Sequence, residues 1–223
     1  MTKEGTYMTE DNRLPALEEL SEKTTKERII EAATDIFAQR GFDAVSMSEI
    51  SEAVGIKKPS LYYHFASKDK ILENILEYPI ERMKQVGSQE VGTEELISSM
   101  SLEEFMAMGA DLIVNWTEEP RMEKTLRIIF VEMYHNDKIK EFYSAFIDLT
   151  YSSWEMIFTL MMKHELIKPF DPRMLAKEYI SFYGNAYLDY FLLRYRPNTS
   201  SFRKEYGDLI DRHTAFTVSI IKK

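Results

Sequence analysis

The stretch SMSEISEAVGIKKPSLYYHF, residues 46–65, decides the fold because it contains two short helical patterns separated by a glycine. Ser46 is followed three residues later by Glu49, the spacing of a capping box at a helix start. The predicted inner face of this helix consists of Ile50, Ala53 and Val54. Gly55 can adopt the positive φ of a tight turn between helices. The stretch therefore predicts a helix, a tight turn and a second helix.

The second helix of this pair carries its apolar residues on one side. Pro59 falls in the first turn, where a missing N–H costs no hydrogen bond. Leu61 and Phe65 are four residues apart, so both point inward. A helix–turn–helix of this kind places its second helix in a groove of duplex DNA.

Helices are predicted on both sides of this pair. Thr24 and Glu27 form another capping box, and Gly41 ends the helix that they begin. Ser67 caps a fourth helix, which Pro79 is expected to kink or end.

The longer stretch GFDAVSMSEISEAVGIKKPSLYYHFASKDKIL, residues 41–72, resembles the DNA-binding signature of the tetracycline-repressor (TetR) family of bacterial and archaeal regulators. The similarity covers residues 24–78. Its landmarks are Gly41-Phe42, Ser46, Gly55, the run Ser60-Leu61-Tyr62-Tyr63-His64-Phe65, and Ser67-Lys68. The sequence departs from the family pattern at Ser48, Lys57 and Pro59. These departures bear on which operator sequence is bound, not on the class of protein.

The resemblance implies an all-α chain with two domains. Residues 24–78 would be a three-helix, helix–turn–helix DNA-binding domain, and residues 79–223 a helical ligand-binding and dimerisation domain. It further implies a ligand-responsive transcriptional repressor that binds a palindromic, double-stranded DNA operator as a homodimer. Its small-molecule effector is unidentified. The alternatives are a DNA-binding regulator controlled by a protein partner and a helical enzyme.

The predicted DNA-binding residues are polar or aromatic and lie on or beside the two short helices. They are Ser46, Lys57, Lys58, Ser60, Tyr62, Tyr63, His64 and Lys68. Lys68, at a helix N-terminus that already favours anions, is expected to clamp a phosphate. Tyr63 is expected to point outward more than Tyr62. His64 either reaches a phosphate or caps local carbonyls as a half-buried ring.

From about residue 80 the sequence predicts long helices. Their predicted starts are Ser101, Pro120, Asn136, Asp171 and Ser201, and their patterns extend to about residues 117, 134, 161, 195 and 221. The pattern of residues 171–221 exposes more apolar surface than one protomer covers, so these two helices are predicted to form a four-helix homodimer interface. The small residues Ala176, Gly184 and Ala186 are expected to allow close helix crossing.

A set of mostly aromatic and methionine side chains in the C-terminal part is the candidate ligand-binding site. It consists of Phe105, Met108, Asp111, Leu112, Asn115, Trp116, Phe130, Met133, Phe146, Trp154, Phe158, Tyr183 and Tyr187. Ordinary core packing is the alternative for this set. Asp111, Asn115, Asn185 and Asp189 interrupt apolar stretches, so they either orient a ligand or dimer contact or face solvent. An acidic side chain inside the pocket would favour a cationic or polar ligand.

Composition limits the remaining classes of function. The chain of 223 residues has no cysteine, and its net charge of −9 includes seven basic and nine acidic residues in 24–78. Four lysines lie between Gly55 and Lys70, so the local field still suits phosphate. Neither metal-ligand spacing nor a nucleophile, nucleotide or cofactor motif is found. Residues 1–23 are expected to be a flexible tail without a signal peptide, which with no membrane-spanning run predicts a cytoplasmic protein.

Overall fold

The computed structural model describes residues 23–87, 90–196 and 199–223. Helices account for nearly all of this part of the chain, which confirms the all-α class. They are α1 (Thr25–Arg40), α2 (Met47–Val54), α3 (Lys58–His64), α4 (Lys68–Gly87), α5 (Glu90–Ser99), α6 (Leu102–Glu118), α7 (Pro120–Glu132), α8 (Asp137–Lys163), α9 (Pro172–Leu188), a π-helix (Asp189–Arg194) and α10 (Phe202–Ile221). Residues 1–22 of the predicted tail at residues 1–23 lie outside the described residues.

Helix starts agree with the capping signals in the sequence. Thr24, Ser46 and Ser101 each form a reciprocal capping box with the glutamate three residues later. Asn136 and Asp171 accept a hydrogen bond from the backbone amide of the third residue after them. These caps satisfy amides that a helix start leaves without a partner.

The helices differ from the prediction in three places. Pro79 does not end α4, which continues to Gly87 with this proline inside it and buried. Helix α5 was not predicted, because Glu90–Ser99 has neither a strong apolar face nor a clear cap. The segment expected to run as one helix to Tyr195 changes to a π-helix at Asp189, whose carboxylate accepts hydrogen bonds from Arg194 Nε and the Tyr206 hydroxyl.

We call α1–α3 and the start of α4 the head, and α5–α10 the core. The head lies on α7, where the Lys124 ammonium is 2.5 Å from the Asp35 carboxylate on α1. The Tyr78 hydroxyl on α4 donates to Glu119 beside the start of α7 at 2.8 Å. Within the core, α8 packs on α9 and α10 on α6. No helix in the described part of the chain is long and apolar enough to cross a membrane.

Candidate DNA-binding surface

The recognition helix α3 is held by two buried side chains. Leu61 is 0% exposed and Phe65 is 3% exposed, which confirms that both point inward. Gly55 joins α2 to α3 in the left-handed conformation, with φ 75° and ψ 33°. Arg28 Nη2 on α1 donates to the Val54 carbonyl at 2.6 Å and so fixes the end of α2. Ala53 was expected to face inward but is exposed.

The outer face of α3 presents aromatic and cationic groups to solvent. Tyr63 is 87% exposed and Tyr62 is 46% exposed, as the sequence predicted for the pair. Lys57 and Lys58 are exposed, and neither has an acidic partner among the described residues. His64 is half-buried, with its ring 5.3 Å edge-on from the ring of Tyr63. Both lysine charges are therefore available to phosphates.

Ser60, another predicted contact, is half-buried on α3. Ser46, at the start of α2, is exposed, but its hydroxyl is already engaged. This hydroxyl accepts from the Glu49 amide at 3.3 Å and donates to the Glu49 carboxylate at 2.7 Å. Hydrogen bonds from the Ser46 side chain and backbone, and then from Arg40, lower the pKa of Glu49 to about 2. A phosphate contact by Ser46 remains a prediction.

The Lys68 side chain does not project freely from the start of α4. Its ammonium donates to the carbonyl oxygens of Phe42 at 2.7 Å and Val45 at 2.9 Å, and lies 3.5 Å from that of Asp43. It also lies 4.2 Å from the centre of the Phe42 ring, within cation–π distance. Because its three N–H groups have acceptors here, the ammonium does not project freely toward solvent, and the clamp on phosphate stays a prediction. In this arrangement the side chain stabilises the loop between α1 and α2.

The aromatic interior of the core contains several candidates for ligand contact. The Trp154 ring lies 4.6 Å from that of Tyr179 and 5.5 Å from that of Phe158. The hydroxyls of Tyr179 and Tyr183 are 3.0 Å apart, and those of Thr117 and Tyr187 are 2.9 Å apart. Burial raises the pKa of Tyr183 and of Tyr187 far above the ordinary range. These tyrosine hydroxyls are therefore uncharged, and burial also lowers the pKa of the His213 imidazole, which stacks on Tyr179.

The predicted ligand residues divide by burial. Phe105, Phe130, Trp154, Phe158 and Tyr183 are buried, and Leu112, Trp116, Met133, Phe146 and Tyr187 are half-buried. Met108, Asp111 and Asn115 are exposed and do not line an interior site. Arg203 on α10 donates to Asn115 Oδ1 at 2.7 Å and lies 3.6 Å from the Asp111 carboxylate.

The polar residues near the end of α9 also face outward. Asn185 is exposed, and Asp189 pairs with Arg194 at 2.6 Å. A cationic ligand was predicted only if Asp111 or Asp189 entered the pocket. Neither carboxylate does so in the structure, so this reason for a cationic ligand no longer holds. The described residues contain no group of three or more His, Asp or Glu placed to hold a metal ion.

A mostly apolar groove of about 520 Å³ lies between α9 and α10. It is lined by Phe170, Asp171, Met174, Leu175, Glu178, Tyr179, His213, Phe216, Thr217, Ile220 and Ile221. None of the predicted ligand residues lines it. Ala176 and Ala186, expected at a close helix crossing between protomers, are buried inside the protomer at 0% and 2% exposure.

The sequence similarity to known proteins lies in the head. Residues 29–75 match the sequence model for bacterial regulatory proteins of the tetR family. A curated relative, the biofilm operon icaADBC HTH-type negative transcriptional regulator IcaR of Staphylococcus epidermidis, is 40% identical over 60 residues. That match covers 25% of this chain and 32% of IcaR, so the chain spans about a third of the length of this relative.

Solved structures extend the likeness to the whole fold. A transcriptional regulator from Saccharomonospora viridis in complex with choline aligns with a TM-score of 0.63 at 21% identity, covering 89% of this chain and 98% of its own. AibR in complex with isovaleryl coenzyme A and operator DNA aligns with a TM-score of 0.60 at 18% identity, covering 85% and 97%. Because both identities are low, this similarity shows a shared fold and nothing further about the chain.

Proposed function

Since the head carries the helix–turn–helix of tetR-family bacterial regulatory proteins, we propose that the chain is a DNA-binding transcriptional repressor controlled by a small molecule. The main support is the outer face of α3, where Lys57, Lys58 and the exposed Tyr63 ring project from a helix anchored by Leu61. Lysines without acidic partners supply phosphate contacts, and an exposed tyrosine can offer its hydroxyl to phosphate or its ring to a thymine methyl group.

Selection of duplexes from a random pool by the full chain tests DNA binding. We expect enrichment of an inverted repeat whose half-sites lie about one DNA turn, or about 34 Å, apart. The matched control is Leu61→Asp, which disrupts the anchor of α3 and should enrich no sequence. Recovery of no preferred duplex by the unaltered chain would contradict the proposal.

We infer that the DNA-binding form is a homodimer through α9 and α10. Two exposed apolar stripes at helical spacing support this: Met174, Leu188 and Leu192 on α9 and the π-helix, and Leu209, Phe216 and Ile220 on α10. Phe216 is 65% exposed beside the groove between α9 and α10. Met174 and Ile220 line the same groove as Phe216, and clustered exposed apolar side chains are characteristic of protein–protein contact.

Sedimentation velocity at micromolar concentration tests the dimer. Phe216→Asp should shift the chain to a species of 26.2 kDa, because the carboxylate would be buried without a partner. Leu96→Asp is the control, since Leu96 is an exposed apolar residue on α5, with 43% exposure, outside the proposed interface. If the unaltered chain also sediments as a monomer, the inference of a homodimer is wrong.

We propose that the effector is an uncharged, largely aromatic molecule that binds in the core among Trp154, Phe158 and Tyr183. The tyrosine hydroxyls of this interior bond to other hydroxyls, and the Asp111 and Asp189 carboxylates pair with arginines outside it. A charged ligand would lose hydration there without an opposite charge to replace it. The Thr214 hydroxyl, which is buried beside Tyr179 and Tyr183 without a hydrogen bond of normal geometry, could serve a polar group on the ligand.

Three small probes of similar size test this ligand class: p-cresol, benzyltrimethylammonium and benzoate. A ligand that binds the folded chain raises its melting temperature, so we expect p-cresol alone to do so. Trp154→Phe and Trp116→Phe, compared by intrinsic fluorescence, should show that the response comes from Trp154. Stabilisation by the cation alone would contradict the proposed chemistry without affecting the DNA-binding proposal.

A further inference from the structure

The loop between α1 and α2 is held from two directions. From α4, Lys68 donates to the carbonyl oxygens of Phe42 and Val45. From α7 in the core, the Glu132 carboxylate accepts a hydrogen bond of 3.0 Å from the Phe42 amide. The Phe42 amide therefore connects the head to the core, through a residue 90 positions away in sequence, while the Phe42 carbonyl is held by the start of α4 within the head.

This contact requires the glycine before Phe42. Gly41 has φ 83°, and a Cβ placed on it would lie 2.7 Å from Glu132 Oε1, much closer than such atoms approach. A side chain at position 41 would therefore be strained in its backbone and would also displace the carboxylate. The glycine ends α1 and also leaves room for an acceptor from the core.

The loop held in this way leads directly to the DNA-binding surface. Val45 is 2% exposed and precedes Ser46, the N-cap of α2. Arg40 donates to the Ala44 carbonyl at 3.0 Å and pairs with Glu49 on α2 at 2.7 Å. A change in the position of the loop would thus move the start of α2, and with it the turn to α3.

We propose that Glu132 is a positioning residue that fixes the α1–α2 loop in its DNA-binding conformation and couples the core to the head independently of α4. This inference depends on the proposed DNA-binding function. Glu132 is the last residue of α7, so a shift of that helix moves the acceptor relative to the Phe42 amide. An effector that shifts α7 would loosen the loop by withdrawing this acceptor.

The experiment compares variants of two contacts that α7 makes with the head. Glu132→Leu removes the acceptor, and Glu132→Gln keeps a side-chain oxygen there. Lys124→Met breaks the 2.5 Å pair with Asp35 on α1 but leaves the loop contacts intact. Glu132→Ala provides a second acceptor-free variant with a smaller side chain.

Hydrogen–deuterium exchange of the full-length variants measures the loop directly. We expect exchange of residues 42–46 to be about tenfold faster in the Leu and Ala variants than in Lys124→Met, and close to that of the unaltered chain in Glu132→Gln. Equal exchange in Glu132→Ala and Lys124→Met would overturn the proposal. This measurement needs no DNA, so its result is separate from the test of DNA binding.

Affinity for the duplex selected by the unaltered chain gives the functional readout. Glu132→Leu should bind it about tenfold more weakly, whereas Lys124→Met and Glu132→Gln should bind within about twofold. If Glu132→Leu exchanges faster in the loop but binds DNA as tightly as Lys124→Met, the hydrogen bond is structural and the positioning role is wrong.

Discussion

The head and the core use polar side chains in different ways. In the head, three long cationic side chains donate to main-chain carbonyl oxygens: Arg28 to Val54, Arg40 to Ala44, and Lys68 to Phe42 and Val45. In the core interior, the buried tyrosine hydroxyls pair with other hydroxyls, as Tyr179 does with Tyr183 and Tyr187 with Thr117.

Short helices and the loop between α1 and α2 explain this difference, because three of the four acceptor carbonyls lie in that loop and the fourth, that of Val54, ends α2. Helices α2 and α3 have 8 and 7 residues, whereas α8 has 27. Each helix end leaves about four carbonyls or amides without partners, so short helices have many such groups per residue. Long cationic side chains can reach them while keeping contact with water. The head therefore contains cations that stabilise its structure and others that are free for DNA, although the residue type is the same.

Lys68→Met should have the largest effect on stability and separates these two roles of lysine. It removes the donor shared by the Phe42 and Val45 carbonyls, so we expect the free energy of unfolding to fall by about 3 kcal/mol. Urea denaturation measures this loss. The salt dependence of DNA binding should remain that of the unaltered chain under conditions where the variant is folded. A decrease in the salt slope by about one unit would instead indicate that the Lys68 ammonium contacts a DNA phosphate.

Replacing Lys57 and Lys58 together with alanine should affect DNA binding but not folding. Each phosphate contact changes affinity by about eightfold at ~0.1 M salt, so the double variant should bind roughly 60-fold more weakly, with a salt slope lower by about two. Filter binding at several salt concentrations measures both quantities. The control, Lys177→Ala with Lys204→Ala, removes the same charge from exposed positions in the core and should leave the slope unchanged.

Tyr183→Phe examines the hydroxyl pairs of the core. It leaves the Tyr179 hydroxyl buried without its partner, so the free energy of unfolding should fall by about 1–2 kcal/mol. Tyr187→Phe is matched to it but should cost less, about 0.5–1 kcal/mol, because Thr117 still donates to the Ile113 carbonyl at 2.8 Å. Thermal or urea unfolding of both variants gives the comparison, and a larger loss for Tyr187→Phe would contradict it.

Much of the head was predictable because its chemistry is local. Ser46 and Glu49 mark a helix start, Gly55 marks the turn, and the spacing of Leu61 and Phe65 gives the inward face of α3. The partner of Lys68 was not predictable, because Phe42 and Val45 lie more than twenty positions away in sequence. Nothing in the sequence marks Glu132 either, since its contact with Phe42 depends on how α7 meets α1.

The core was predictable in its helix starts but not in its interior. Capping residues such as Asn136 and Asp171 identify where α8 and α9 begin. Periodicity could not show whether Asp111 lies inside or outside, because a polar residue within an apolar stretch of helix fits either face near the edge of the stripe. Its outward position follows from the packing of α10 on α6, a long-range contact between two helices with similar patterns.

Arg203→Ala should have the smallest effect and tests whether the polar residues of α6 belong to the surface. The Arg203 and Asp111 side chains are 47% and 65% exposed, so water screens their interaction. The free energy of unfolding should fall by no more than about 0.5 kcal/mol, as measured by urea denaturation. Asp111→Asn should likewise leave the p-cresol stabilisation unchanged. A loss above about 2 kcal/mol, or a changed preference among the three probes, would instead place Asp111 with the ligand-binding interior, because only a desolvated carboxylate has effects of that size.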